Sequence, residues 1–203
     1  MNEVVAAIRA GEPVVLPTDT VYGLCADASR EDPVRRLLEL KGRPGTQPVA
    51  LLAAELEPLL EAIPELRGAS AAIAGALLPG SYTLVVPNPA RRFAWLTGAR
   101  PETIGVRVPA LPAAAREVVD AVGFVAATSA NLHGGADPAR VADVPESIRA
   151  VVAAIVDGGD LPGTPSTVID LTDSEPRILR EGAVRAEEAL ARIGRALPTG
   201  TAT

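Results

Sequence analysis

The polar residues able to carry chemistry in this chain gather in short runs that follow apolar ones. PTDTVYGL, residues 17–24, sets Thr18, Asp19 and Thr20 in succession; on its own it is a turn in which carboxylate and hydroxyls bond the local backbone. LKGRPGTQP, residues 40–48, puts Lys41 and Arg43 two apart at the end of a helical pattern. Two readings of that pair stand side by side. The cations satisfy the last carbonyls and the helix dipole, or Gly42 and the prolines fix the loop so that both face a multiply charged phosphate chain. In TIGVRVP, residues 103–109, Arg107 alternates with Val106 and Val108 and so faces the opposite side from both. It needs a partner, either a structural carboxylate or an anionic ligand, and the ligand is slightly favoured. TSANLHGG, residues 128–135, offers hydroxyls, an amide and a turn of backbone donors, Ser166 and Thr167 open a strand-like TVID run, and Arg180 closes ILR. Together these clusters supply hydroxyls and four cations without a histidine pair, a metal cage or an evident nucleophile. Such a set suits positioning and charge neutralisation, as in phosphoryl or nucleotidyl transfer, better than acid–base or covalent chemistry.

Composition sharpens that choice. The 203 residues carry a formal charge of −6, which argues against broad electrostatic adhesion to nucleic acid or anionic membrane, so any anionic ligand needs a local basic site. Of the 19 basic residues only Lys41 is a lysine, the others being arginine, which points to a position that wants a compact ammonium. One cysteine, Cys25, and one histidine, His133, leave no disulfide and no Cys/His zinc set. Hydrolase triads lack a histidine relay, and neither glycine-rich nucleotide cradle is present. Aromatics make up 2% of the chain, too few for the stacking platforms of RNA-reading modules. No apolar run approaches a membrane span and the N-terminus does not read as a secretion signal, so the expected location is the cytoplasm.

The elements that must position these clusters follow from apolar spacing and turn residues. Helices are predicted over 2–10, closed by Gly11, over 32–41 with Asp32 as N-cap and Pro33 first in the helix, over 56–78 with breaks at Pro64 and Gly68, and over 112–122, 145–155 and 185–196. Strands are predicted over 13–16, 48–52, 82–86, 103–108, 124–127, 166–171 and 177–179. The mixture predicts one α/β domain over residues 1–197, with a twisted, mostly mixed sheet, flanking helices and a crevice at the strand ends, followed by a disordered tail at 198–203.

PTDTVYGL, KGRP with the following Pro48, LLPGSYTLVV, IGVRVPALP, SAN, STVID and ILREGAV, in this order, resemble the YrdC-like family, the threonylcarbamoyl-AMP synthases, over roughly residues 5–190. The resemblance implies a twisted open sheet with a large cleft binding ATP and L-threonine, and a reaction that joins threonine, bicarbonate and ATP into threonylcarbamoyl-adenylate and pyrophosphate for tRNA modification. It implies that Lys41 and Arg43 carry the catalysis, that Arg43, Gln47, Thr103, Ser129, Asn131, Asp137 and Arg180 contact the nucleotide, and that Thr20, Arg107, Ala127 and Ser166 contact threonine. Mg2+ is expected on the phosphates, held by substrate rather than by a protein cage. Downstream, tRNA or a transferase complex is the implied partner, with no membrane involved, and the form is the single-domain one.

Some positions depart from the family pattern. Gln47 replaces an asparagine, Leu52 stands where some relatives have a ligand-facing histidine, His133 and Asp137 replace small hydroxyl residues, and Cys25 replaces a glycine. These departures keep open two alternatives: a paralogue handling carbamoyl-adenylate with another acceptor, and a non-catalytic relative that binds double-stranded RNA through a basic concave face.

Overall fold

The computed structural model describes residues 1–197; the tail expected at 198–203 lies outside the described residues. Helix α1 (Asn2–Ala10) buries Val4 and Ile8 and ends where Gly11 adopts a left-handed φ of 86°. It leads into β1 (Val14–Pro17), then β2 (Tyr22–Asp27). The sequence pattern missed β2, because its start overlaps the polar run at 17–24; yet all of Tyr22 to Ala26 is buried, as in a strand covered on both faces. Helix α2 (Glu31–Lys41) starts two residues earlier than predicted, with Arg30 rather than Asp32 at the N-cap position. Asp32 is therefore not the cap: it lies in the first turn, where a carboxylate suits the dipole, and accepts a 2.7 Å bond from Arg35 Nη2.

Then come β3 (Ala50–Ala53), α3 (Leu56–Ala62), α4 (Ala69–Leu77), β4 (Tyr82–Pro87), β5 (Thr103–Arg107), α5 (Ala113–Val122) and β6 (Phe124–Ser129). The helix expected over 145–155 is a single turn, α6 (Glu146–Arg149), followed by the two-residue strand β7 (Ala154–Ile155). Pairing with β1 decides this: Ala153 N donates to Pro13 O and Val156 N to Val15 O, both at 2.9 Å. The chain ends in β8 (Thr167–Asp170), β9 (Arg177–Arg180) and α7 (Ala186–Ala196). No helix among the described residues is long and apolar enough to cross a membrane.

The strands form one mixed sheet in the order β7-β1-β2-β6-β3-β5-β4-β8-β9. Pairs β1·β7, β3·β5 and β4·β8 are parallel and the others antiparallel. Strand side chains alternate between faces. On one face Leu24, Leu51, Leu84, Val106 and Ile169 pack against Val34 and Leu37 of α2, Ile73 and Leu77 of α4, and Ile193 of α7. On the other, Leu16, Cys25, Leu52 and Val125 pack against Val4 and Ile8 of α1 and Val118 and Val119 of α5. Each such side chain withdrawn from water contributes roughly 1.5–3 kcal/mol. The second face is covered only over β1, β2, β6 and β3. Over β5, β4 and β8 it opens into a cavity.

Candidate functional site

That cavity has a volume of about 280 Å3. Its floor is the uncovered sheet face: Thr103, Gly105 and Arg107 at alternate positions of β5, Thr83 and Val85 of β4, Val168 of β8 and Ala127 of β6. Its walls are Arg43 from the loop after α2, Thr128 and Ser129 at the end of β6, and Pro165, Ser166 and Arg180 beside β8 and β9. Among the expected contact residues, the structure brings Arg43, Thr103, Arg107, Ala127, Ser129, Ser166 and Arg180 to the cavity surface. Lys41, Gln47, Thr20, Asn131 and Asp137 are not on its lining and act, if at all, from behind it.

Lys41 closes α2, and Gly42, at a φ of 62°, turns the chain away from the helix. The Lys41 ammonium is buried and donates to Ser129 O at 2.7 Å, to Asn131 O at 3.0 Å and to Asn131 Oδ1. Asn131 Oδ1 also accepts from Ser129 Oγ at 2.7 Å, and Asn131 Nδ2 donates to Gly135 O at 2.6 Å. The lysine thus clasps the loop that follows β6 and stands directly behind a cavity-lining hydroxyl. Burial, reinforced by the Arg43 charge and opposed by Asp137, brings its pKa down to about 8.

Arg43 donates from Nε to Gln47 Oε1 at 2.8 Å and from Nη1 to Thr128 Oγ1 at 3.0 Å. Arg180 holds Ser166 O at 2.8 Å. Among the described residues neither guanidinium makes an ion pair. Burial, together with the Arg180 charge, holds the Arg43 pKa below the ordinary arginine value.

Arg107 has found a carboxylate. Its Nη2 donates to Asp19 Oδ1 at 3.1 Å and to Thr20 Oγ1 at 3.3 Å, while Asp19 Oδ2 accepts from Ser81 Oγ at 2.9 Å. Even so, Arg107 Nε is buried without a hydrogen-bond partner. Burial pushes this guanidinium below its usual pKa, Asp19 opposes the shift and Arg180 adds to it. Of the two partners posed by the sequence, the slightly disfavoured one, a structural carboxylate, is the one present: Nη2 is tied to Asp19, and the residue also lines the cavity.

Thr83, Val85, Gly105, Thr128 and Val168 were not singled out from the sequence. A signal was present, since period-two alternation places residues 83 and 85 on one face of β4, and residues 103, 105 and 107 on one face of β5. Leu52, at the position where a ligand-facing histidine was considered, is 1% exposed and packs into the α1–α5 core rather than the cavity. Cys25 lies in the same core, its thiol pushed up to about 12 by burial. His133 Nε2 stands 3.4 Å from Gln47 Nε2, joining the two loops above Lys41 and Arg43. Among the described residues no group of three or more His, Cys, Asp or Glu is placed to hold a metal ion.

Residues 6–182 match the Sua5/YciO/YrdC family, which is described as telomere recombination. The chain is 37% identical over 188 residues to a threonylcarbamoyl-AMP synthase of Pyrococcus abyssi, an alignment covering 92% of this chain and 55% of that protein. With a threonylcarbamoyl-AMP synthase of Bacillus subtilis it shares 34% identity over 194 residues, covering 93% and 55%. The crystal structure of P. abyssi Sua5 complexed with L-threonine has a TM-score of 0.84 at 36% identity, covering 94% of this chain and 56% of that one. The chain spans just over half the length of these relatives.

Proposed function

The chain belongs to the Sua5/YciO/YrdC family, and we propose that it joins L-threonine, bicarbonate and ATP into threonylcarbamoyl-adenylate and pyrophosphate, the activated donor for a threonylcarbamoyl group on a tRNA adenosine. The observation that carries this reading is the meeting of Arg43, Arg107 and Arg180 on one cavity whose lining holds no carboxylate, with only Arg107 of the three ion-paired, to Asp19, among the described residues. In a protein whose net charge is −6, that is a local site for a polyanion. The threonine amine adds to the carbon of bicarbonate, with loss of water, to give a carbamate. A carbamate oxygen then attacks the α-phosphorus in line, and the bond to pyrophosphate breaks.

Neither step needs a strong base from the protein; both need anions held together. Arg43 and Arg180 neutralise the phosphates, with the Ser129 and Thr103 hydroxyls available to the nucleotide. Arg107 takes the threonine carboxylate from the cavity side while its Nη2 stays with Asp19, with Thr20 behind it, Ser166 on the wall and Ala127 on the floor. Lys41 and Asn131 fix Ser129, and Gln47 fixes Arg43. Asp137 lowers the field of Lys41 where the nucleotide passes. Magnesium belongs to this reading only as part of the nucleotide: the cavity lining includes no carboxylate, so a divalent ion takes its ligands from phosphate. The adenylate is an acyl donor that water would destroy, so the next partner is a transferase bringing tRNA to it.

Pyrophosphate release from ATP tests the reading. It is expected only when L-threonine and bicarbonate are both present, against a panel of other amino acids. Release indifferent to the amino acid would point to another acceptor, and no release with tight, salt-sensitive duplex RNA binding would overturn the enzyme.

A further inference from the structure

The glycines near the cavity are of two kinds. At Gly158 a side chain is sterically excluded, because an added Cβ would lie 2.6 Å from Pro17 Cβ. At Gly182 it would overlap the backbone of Pro165 and Ser166. The fold requires those two glycines. Gly105 is different. It sits in the interior of β5, outside the left-handed region, and the nearest atom to an added Cβ is Thr83 Cγ2 at 3.6 Å, an ordinary van der Waals distance. The protein would accept a side chain there, and a strand interior gains from one, through lower backbone entropy in the unfolded chain and added packing. The glycine nevertheless lies on the cavity floor between Thr103 and Arg107, paired in register with Val85, beneath a space walled by Arg43 and Arg180.

We infer that Gly105 is a specificity-determining residue whose missing side chain makes room for the stretch of ligand that joins the carboxylate held by Arg107 to the phosphate held by Arg43 and Arg180. This rests on the synthase reading, in which that stretch is the amine-to-carbamate linkage, the part of the molecule built during the reaction. A methyl group there raises the floor under the reacting atoms and leaves the anion anchors untouched.

The test is Gly105→Ala in the whole chain, with Gly105→Ser as a second variant. Three quantities are read: the melting temperature without ligand, its rise on adding L-threonine, and threonine- and bicarbonate-dependent pyrophosphate release. The expected result is an unliganded melting temperature equal to or above that of the wild type, loss of the threonine-induced rise, and turnover lower by about 100-fold, the cost of misplacing reacting atoms by about 1 Å. Unimpaired turnover and threonine response in both variants would overturn the inference. So would an unliganded melting temperature several degrees lower in both, which would make Gly105 a requirement of the fold, or a wild type with no threonine response at all. A wild type that responds to L-threonine but releases no pyrophosphate would instead fault the synthase reading, and the thermal response would still decide the role of Gly105.

Discussion

One face of the sheet has two fates. Over β1, β2, β6 and β3 its outward positions are Leu16, Cys25, Val125 and Leu52, and α1 and α5 cover them. Over β5, β4 and β8 the equivalent positions are Thr103, Gly105, Arg107, Thr83 and Val168, and no helix lies above. The seam is abrupt. Leu52 of β3 and Arg107 of β5 are register partners, one inside the apolar core and the other on the cavity floor, while Ala127 belongs to both. The cavity is therefore sheet that no helix among the described residues covers. The residues there follow from that exposure: hydroxyls and guanidinia, which would be costly under a helix, are satisfied against water or a ligand.

The sharpest way to break the comparison is to put the same charge on each half. Val125→Asp buries a carboxylate among α1 and α5 without a partner. It should cost more than about 4 kcal/mol, a large share of the roughly 5–15 kcal/mol that holds a domain folded. Thr83→Asp places the carboxylate in the cavity near Arg180, whose partner Ser166 already bonds Thr83 at 2.8 Å, and should leave the fold standing. Urea denaturation midpoints of the two variants decide it: equal losses would mean that the halves do not differ as described.

Next in size is the loss of either unpaired cation. Arg43→Ala and Arg180→Ala should each lower turnover by about 100-fold, the usual scale for a preorganised donor on transferring phosphate. The urea midpoint should barely move, because no carboxylate depends on either side chain. Loss of stability in step with activity would make them structural arginines like those of the exposed ion pairs.

Lys41 gives a smaller, pH-dependent effect. Its pKa is about 8 in the fold and near the ordinary 10.5 when the chain is unfolded. Between those values the unfolded chain binds more protons, so the lysine's contribution to stability grows as pH rises from about 8 toward 10.5 and is absent below that window. Function moves the other way. Above pH 8 the charge behind Ser129 disappears, and turnover should fall by about tenfold per pH unit as a single group titrates. Lys41→Arg should not restore it, because a planar fork cannot aim at Ser129 O, Asn131 O and Asn131 Oδ1 together. A flat rate up to pH 10, or an active Lys41→Arg enzyme, would remove the ammonium from the mechanism.

These contrasts also separate what could be read in the chain from what could not. The floor strands were legible because TIGVR alternates and YTLVVP is a short apolar run after the turn at 78–80, although only the burial of Leu84, Ile104 and Val106 shows which face goes inward. Strand β2 was hidden because its first residues belong to a polar run, and β7 because two residues leave no period to detect. For the site, residue types named four cations, of which Arg43, Arg107 and Arg180 reach the cavity and Lys41 does not, but not their partners. That Arg107 would meet Asp19, 88 residues away, depends on β5 running past the turn after β1. That Lys41 would face backwards, into the loop after β6 rather than into the cavity, depends on the left-handed turn at Gly42. Such contacts are set by topology, and local sequence is silent on them.

The finest test concerns the residue at the seam. Arg107 uses Nη2 for Asp19 and also lines the cavity, so a structural contact and a binding surface meet on a single guanidinium. A lysine at 107 keeps a positive charge for Asp19 but presents no second edge to a carboxylate. Arg107→Lys should therefore keep the fold and the ATP requirement, and raise the KM for L-threonine by about tenfold, the worth of one charge-assisted hydrogen bond of about 1.5 kcal/mol. Initial rates against threonine at saturating ATP and bicarbonate measure it, with kcat expected to change least. An unchanged threonine dependence would place the carboxylate elsewhere on the floor and leave Arg107 as the counter-ion of Asp19 alone.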